Sequence, residues 1–220
     1  MGVELAEAIS DAIRADQDIR ATLDRLVDSG MLRSHLIDSL KGQDGEILAY
    51  HHPNGFAKIR LLGDVGHWAL RIHFWSGAAR VTDVHNHSWD FASRVLAGAL
   101  VERQHHVVGF GSGAWKMSEC RRISRHKYVY RQGPRCDILQ SSERRYGAGD
   151  SYLLRHSCLH EARPAEDQVV TVVLQGPDLL TDTTVIFPAD RPRPEELLTD
   201  PIPLPELEDY LWQVLDHLPA

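Results

Sequence analysis

The chain has 220 residues, of which 43% are hydrophobic and 25% charged, with a formal net charge of −7, three cysteines and 13 histidines. That composition suits one well-buried globular domain with appendages and excludes a disordered, collagen-like or disulfide-stapled chain. No apolar run approaches the roughly 18 residues of a membrane helix, and the acidic balance argues against a general nucleic-acid binder.

The opening MGVELAEAIS lacks a basic region followed by an apolar one, so no secretory signal is expected. Ala6, in place of Ser or Thr, argues against myristoylation of Gly2. Cys120, Cys136 and Cys158 form no CxxC pair, which suits a reducing cytoplasm.

Residues 1–45 read as a helical segment. Leu5, Ile9, Ala12 and Ile13 recur at helical spacing, as do Ile19, Leu23, Leu26 and Val27 before Gly30, and Leu36, Ile37 and Leu40 before Gly42. Such stripes predict helices that cover another layer and stop at glycine. From about residue 46, short segments rich in Val, Ile, Leu, Tyr and Trp alternate with Gly, Pro, Asp and Asn. Strands are predicted at 55–62, 67–75, 80–85, 91–107, 114–123, 127–131, 136–140, 150–154, 168–175 and 183–187. Many short strands with frequent turns predict a sandwich or barrel over 46–187. Residues 188–205 hold six prolines, which predict an extended surface linker. Leu207, Tyr210, Leu211, Val214, Leu215 and Leu218 then mark an amphipathic C-terminal helix that docks on the body or on a second copy.

Within the barrel, Val84-His85-Asn86-His87 places two imidazoles two residues apart. On a strand, positions i and i+2 share a face, so His85 and His87 offer paired donors. A second segment runs from the Gly149-Asp150 turn through a short strand to His156 and His160. Such a hairpin brings His160 to face the pair, and three neutral imidazoles leave positions on a metal open for substrate or oxygen. His156 comes near the site if it continues the alternation of Leu154. Cys158 reads as a small buried hydrophobe or as a thiolate ligand. His51, His52, His105 and His106 read as ordinary surface or core histidines, and His73 as a satisfied core histidine.

The two segments resemble the paired motifs of the cupin superfamily. His85, His87 and Gly98 match the spacing of the first motif, and Gly149 and His160 that of the second, with Arg155 and Ser157 replacing its Pro and Gly. The resemblance covers roughly residues 55–187 and implies a jelly-roll barrel with a metal on His85, His87 and His160. The acidic position of the first motif is Phe91 or Ala92, so a three-histidine site is implied, similar to the cysteine dioxygenase-like branch. That branch implies Fe(II), dioxygen and a small-molecule substrate; Zn(II), Ni(II) and Mn(II) are the alternatives. Arg60 lies where that branch places a carboxylate-binding arginine, within a residue or two of register. The cysteine and tyrosine that some members crosslink correspond to Ala92 and Gln175, so a relative acting on another small molecule is implied.

Arg60 and His156 are therefore the candidate catalytic residues, with Arg94 and Arg155 as further carboxylate holders. Trp89 and Phe91 are candidates for an apolar wall. Residues 116–145 carry nine basic against three acidic side chains, and 190–216 eight acidic against two basic. The basic stretch either meets the acidic tail, steers an anionic substrate toward the barrel, or is a solvated face. The expected protein is a cytoplasmic metal-dependent oxygenase acting on a small polar, in one reading anionic, metabolite. The alternatives are a metal-dependent lyase or isomerase and a non-enzymatic ligand-binding barrel. Neither nucleic acid nor membrane is an expected partner; the sequence leaves oligomeric state open, with a homodimer as one reading.

Overall fold

The computed structural model describes residues 2–42, 47–76, 81–124 and 126–219. The helical stripes form α1 (Gly2–Arg14), α2 (Ile19–Asp28) and α3 (Met31–Leu40). Asp18 caps α2 by accepting from the Arg20 and Ala21 amides at 2.8 and 3.2 Å.

The strands are β1 (Leu48–His51), β2 (Phe56–Asp64), β3 (Trp68–Trp75), β4 (Val84–His85), β5 (Phe91–Ala97), β6 (Ala99–Ser124) and β7 (Lys127–Gly147). They continue as β8 (Ser151–Leu154), β9 (Leu159–Pro164), β10 (Val169–Gln175), β11 (Thr183–Pro188), β12 (Glu196–Leu198) and β13 (Asp200–Pro201), before helix α4 (Leu204–Asp216). One sheet has the order β13-β1-β2-β3-β10-β5-β8 and the other β11-β4-β9-β6-β7-β12. The fold is a mostly β jelly-roll barrel of two antiparallel sheets, with N-terminal helices and a C-terminal helix.

Several local expectations need correction: the segments predicted at 114–123, 127–131 and 136–140 are parts of the long strands β6 and β7, and β1 and β9 lie outside the predicted segments. The strand predicted at 91–107 breaks at Gly98, which adopts φ +70° between β5 and β6. The strand predicted at 80–85 shortens to β4, with Arg80 outside the described residues. The proline-rich stretch is tied down rather than free: β12 pairs with β7 and β13 with β1. Glu196 in that stretch meets Lys127 at 2.8 Å, so part of the acidic tail lies on the basic hairpin of β6 and β7. Arg125, also counted in that hairpin, is outside the described residues.

A Cβ at Gly98 would stand 2.2 Å from the Gln168 carbonyl oxygen, whereas one at Gly149 (φ +89°) would meet nothing within 4 Å. Gly98→Ala is therefore expected to cost about 2–3 kcal/mol, combining strain with a clash, and Gly149→Ala about 1 kcal/mol from strain alone. Urea unfolding of the two variants checks the order.

The first sheet has two unlike faces. Ala57, Ile59, Leu61, Leu70, Ile72, Val172 and Leu174 pack beneath the helices, against Leu5, Ile9, Leu23, Leu36 and Val214. Each such leucine contributes roughly 2 kcal/mol when fully buried. Arg33 Nη1 donates to the Leu215 and Leu218 carbonyls at 2.6 and 3.3 Å, which seats α4 on α3 of the same chain. Because the helices cover the apolar face, the alternate residues Lys58, Arg60, Arg71, His73, Thr171 and Gln175 turn into the barrel, where they line its cavity. Among the described residues, no helix is long and apolar enough to cross a membrane.

Candidate metal centre and its cavity

A cavity of about 790 Å³ lies inside the barrel, lined by residues of both sheets. At one wall β4 and β9 pair so that His85 stands directly opposite His160. His87 follows two residues after His85, and the three rings lie with centroids 4.7 to 5.1 Å apart. One nitrogen from each falls within 4.8 Å of the others. The Nε2 atoms of His87 and His160 are 2.9 Å apart.

The protonation of this group follows from its surroundings. Burial lowers all three imidazoles below the usual histidine range, and the neighbouring histidines lower His87 and His160 further. His85 Nδ1–H donates to the Asp83 backbone carbonyl at 2.7 Å, which leaves the lone pair on Nε2. Two imidazole lone pairs cannot face each other at 2.9 Å unless a proton or a cation lies between them. Three neutral imidazoles, one of them oriented by a backbone acceptor, fit a divalent first-row metal. Among the described residues no carboxylate completes the set: the Phe91 ring stands edge-on to His87 at 4.8 Å, and Trp89 lies 5.7 Å from the same ring. That side of the group is apolar.

A second wall is cationic. Lys58 pairs across strands with His73, and Arg60 with Arg71. Burial pushes the Lys58 ammonium well below its ordinary range, and the charges acting on it, Arg71 and Arg122, lower it further. Arg71 is buried with its guanidinium 5.0 Å above the Trp89 ring. Burial pushes Arg71 down to about 10, opposed by Tyr50 and Tyr128. No carboxylate among the described residues is an ion-pair partner of Lys58 or Arg71. On the same sheet His73 Nε2, Trp75 Nε1 and Gln175 Oε1 are buried without hydrogen-bond partners. Unsatisfied polar atoms facing a cavity are groups that a polar ligand or water satisfies.

The structure distributes the sequence candidates unevenly. His85, His87 and His160 come together. Arg60 lines the cavity, its guanidinium packed where a Gly63 Cβ would lie 2.6 Å from Nη2. His156 does not line it: its Nδ1 and its backbone N–H meet Asp90 Oδ1 at 2.8 and 2.7 Å. Arg155 donates to the other Asp90 oxygen at 2.7 Å. These bonds outweigh the effect of burial and hold the Asp90 carboxyl below its usual range. His156 and Arg155 thus brace the loop between β8 and β9 against the loop before β5. His156→Ala is expected to lower stability by about 1–2 kcal/mol and to leave metal content unchanged, as thermal melts and metal analysis will show.

Arg94 faces away from the cavity and meets Asp28 and Asp24 of α2 at 2.7 and 3.3 Å. Cys158 packs among apolar residues, and burial pushes its thiol up to about 11. His52 and His73 depart from the reading as ordinary histidines, since both line the cavity, where they flank the Phe56 ring at 4.5 and 5.0 Å. Lys58 and Arg71 drew no attention in the sequence. Their signal was a polar alternation on β2 and β3 that looks the same whether it faces solvent or a cavity.

No family model matches the chain, and no curated protein matches it. Among solved structures, it is similar to the DMSP lyase DddQ of Ruegeria pomeroyi, with 18% identity and a TM-score of 0.37 over 62% of this chain and 54% of that one. The chain thus matches only about half the length of that protein. A cupin superfamily protein of Desulfitobacterium hafniense gives 8% identity and a TM-score of 0.36 over 58% and 82% of the two chains. An RmlC-like cupin of Shewanella frigidimarina gives 18% and 0.33 over 62% and 86%. These likenesses are too loose to transfer chemistry.

Proposed function

We propose that this protein is a metal-dependent enzyme acting on a small anionic molecule, with a divalent metal, Fe(II) first among the candidates, on His85, His87 and His160. The observation that carries the reading is the pairing of two opposed features in one cavity: a cluster of neutral imidazoles, and Lys58 and Arg71, which have no carboxylate ion-pair partner among the described residues. A metal at such a site supplies Lewis acidity and, if it is iron, a place for dioxygen.

The chain's own residues do the rest. Lys58 and Arg71 hold the anionic group of the substrate by charge-assisted hydrogen bonds. Arg60 lines the same wall and is a third contact for that group. Trp75 Nε1–H donates to a substrate oxygen, and Gln175 Oε1 accepts from a hydroxyl or amine. Phe91 and Trp89 keep bulk water from the imidazole cluster, which strengthens electrostatic interactions there. The same cationic wall favours neutral His85 and His87, since the Lys58 charge opposes their protonation.

The test is the metal content of protein purified without added metal, followed by dioxygen consumption with small carboxylates and phosphorylated metabolites. Near-stoichiometric iron with substrate-dependent oxygen uptake is the expected result. A bound metal with turnover indifferent to oxygen replaces the oxygenase by a lyase or isomerase. A protein that neither carries nor takes up a metal overturns the proposal and leaves a ligand-binding barrel.

A further inference from the structure

We infer that Arg193, in the proline-rich strap that follows β11, is a positioning residue for the metal centre: it anchors Asp83, whose backbone carbonyl orients His85. The inference rests on the metal reading of the three histidines.

The chain of contacts is short. His85 Nδ1–H donates to the Asp83 carbonyl at 2.7 Å. The Asp83 carboxylate is gripped from the strap by Arg191 on one oxygen and Arg193 on the other. β4, which starts one residue later, is only two residues long. Its ladders to β9 and β11 and the bond from Thr82 N–H to the Ala162 carbonyl at 2.9 Å hold the backbone on either side of Asp83, and the side-chain anchor adds the constraint on Asp83 itself. That plane sets where the Nδ1 acceptor lies, and so where His85 Nε2 points.

The two arginines are not equivalent. Arg193 and Asp83 are each 14% exposed, while Arg191 is 47% exposed. The Arg193 guanidinium lies 4.2 Å from the Tyr130 ring and 5.1 Å from Phe187, so its position is fixed by packing. The strap behind it is braced: Ala189 N–H donates to the Ala114 carbonyl at 2.9 Å and Tyr130 N–H to the Glu195 carbonyl at 2.7 Å. A mostly enclosed ion pair held between two rings transmits position, whereas the half-exposed one at Arg191, which has Phe187 alone at 5.6 Å, is loosened by water and salt. Arg193 also borders the cavity, so a direct substrate contact is the competing role. That role predicts a change in KM with metal affinity unmoved.

The experiment compares Arg193→Met, Arg193→Lys and Arg191→Ala with the parent in chelator-competition titrations of Co(II). In parallel, the imidazole N–H protons of the metal-free proteins are recorded by NMR, with the His85 signal assigned by its loss in His85→Gln. The expected result is a 10- to 100-fold weaker Co(II) affinity in Arg193→Met, together with loss of the His85 N–H signal to solvent exchange. Arg193→Lys recovers part of both, and Arg191→Ala stays within about twofold of the parent. Co(II) affinity within twofold and a retained N–H signal in Arg193→Met overturn the inference. If Arg193→Met does not fold, Asp83→Ala, which keeps the backbone carbonyl and removes the carboxylate that both arginines grip, decides by the same two readouts. A parent that binds no Co(II) defeats the metal reading itself, and the N–H signal then decides alone whether Arg193 orients His85.

Discussion

His160→Ala will fold and will carry no metal. Of the three clustered imidazoles, His160 is the most deeply placed, at 4% exposure, and its Nε2 is the atom nearest His87. Loss of an outer partner of a metal ligand costs 10- to 100-fold in affinity, so loss of a ligand from a set of only three is expected to exceed about 100-fold. The fold tolerates the change for a specific reason. The substitution leaves a small cavity, yet it also removes Nδ1, which is buried without a hydrogen-bond partner. The first effect destabilises and the second relieves an existing desolvation cost. The net change in metal-free stability is expected to stay within about 1–2 kcal/mol. Thermal melts with and without chelator separate the two effects. The parent melts lower after chelation, because a ligand at about 100 times its Kd adds about 2.7 kcal/mol to the folded state. His160→Ala gives one melting temperature under both conditions. A chelator-insensitive parent, or a variant that keeps its metal, removes the imidazole cluster from the function.

How much of this was legible beforehand follows from the kind of signal each residue left. The pairing of His85 with His87 needed only strand periodicity, and the arrival of His160 needed only a turn and a return strand. The structure realises the second through the β4–β9 ladder, whereas β4 ends at His85 and His87 reaches the group from the loop that follows, not by strand alternation. The helices were legible because three apolar stripes ended at glycines or turns. What they cover was not, and that decided the cavity. On β2 the residues alternate Phe56, Lys58, Arg60 against Ala57, Ile59, Leu61, which in an isolated sheet puts the charges in water. Once helices take the apolar face, the charges are inside. A periodicity of two reports that the faces differ, without reporting which one is covered. His156 failed as a cavity residue for a related reason. Alternation beyond Leu154 stops where β8 ends, and the next residues form the loop that grips Asp90. The anchoring of Asp83 by Arg193 spans 110 positions and left no local signal.

The second large effect pairs a gain with a loss. Lys58→Met is expected to be more stable than the parent by about 1–2 kcal/mol and to bind small oxyanions about tenfold to a hundredfold more weakly. The gain follows from desolvation. An ammonium in the cavity wall beside Arg71, with no carboxylate among the described residues to offset it, is costly to bury, and an apolar side chain of similar length removes that cost. The loss follows from the charge-assisted hydrogen bond given up, worth about 1.5–3 kcal/mol, or one to two decades in affinity. The pH dependence carries the same signature. Burial holds the Lys58 pKa below its ordinary value in the folded state, whereas in the unfolded chain it lies at about 10.4. Between those two values the unfolded chain binds the extra proton, so the stability of the parent rises with pH across that window. In Lys58→Met this component is absent, and the difference between the two proteins narrows as the pH climbs toward that of free lysine. Urea unfolding across alkaline pH measures the first effect, and displacement by inorganic phosphate or malonate in chelator-treated protein measures the second. A variant that is less stable than the parent and binds both anions equally well would mean that Lys58 is packed for structure and that the cationic wall receives nothing.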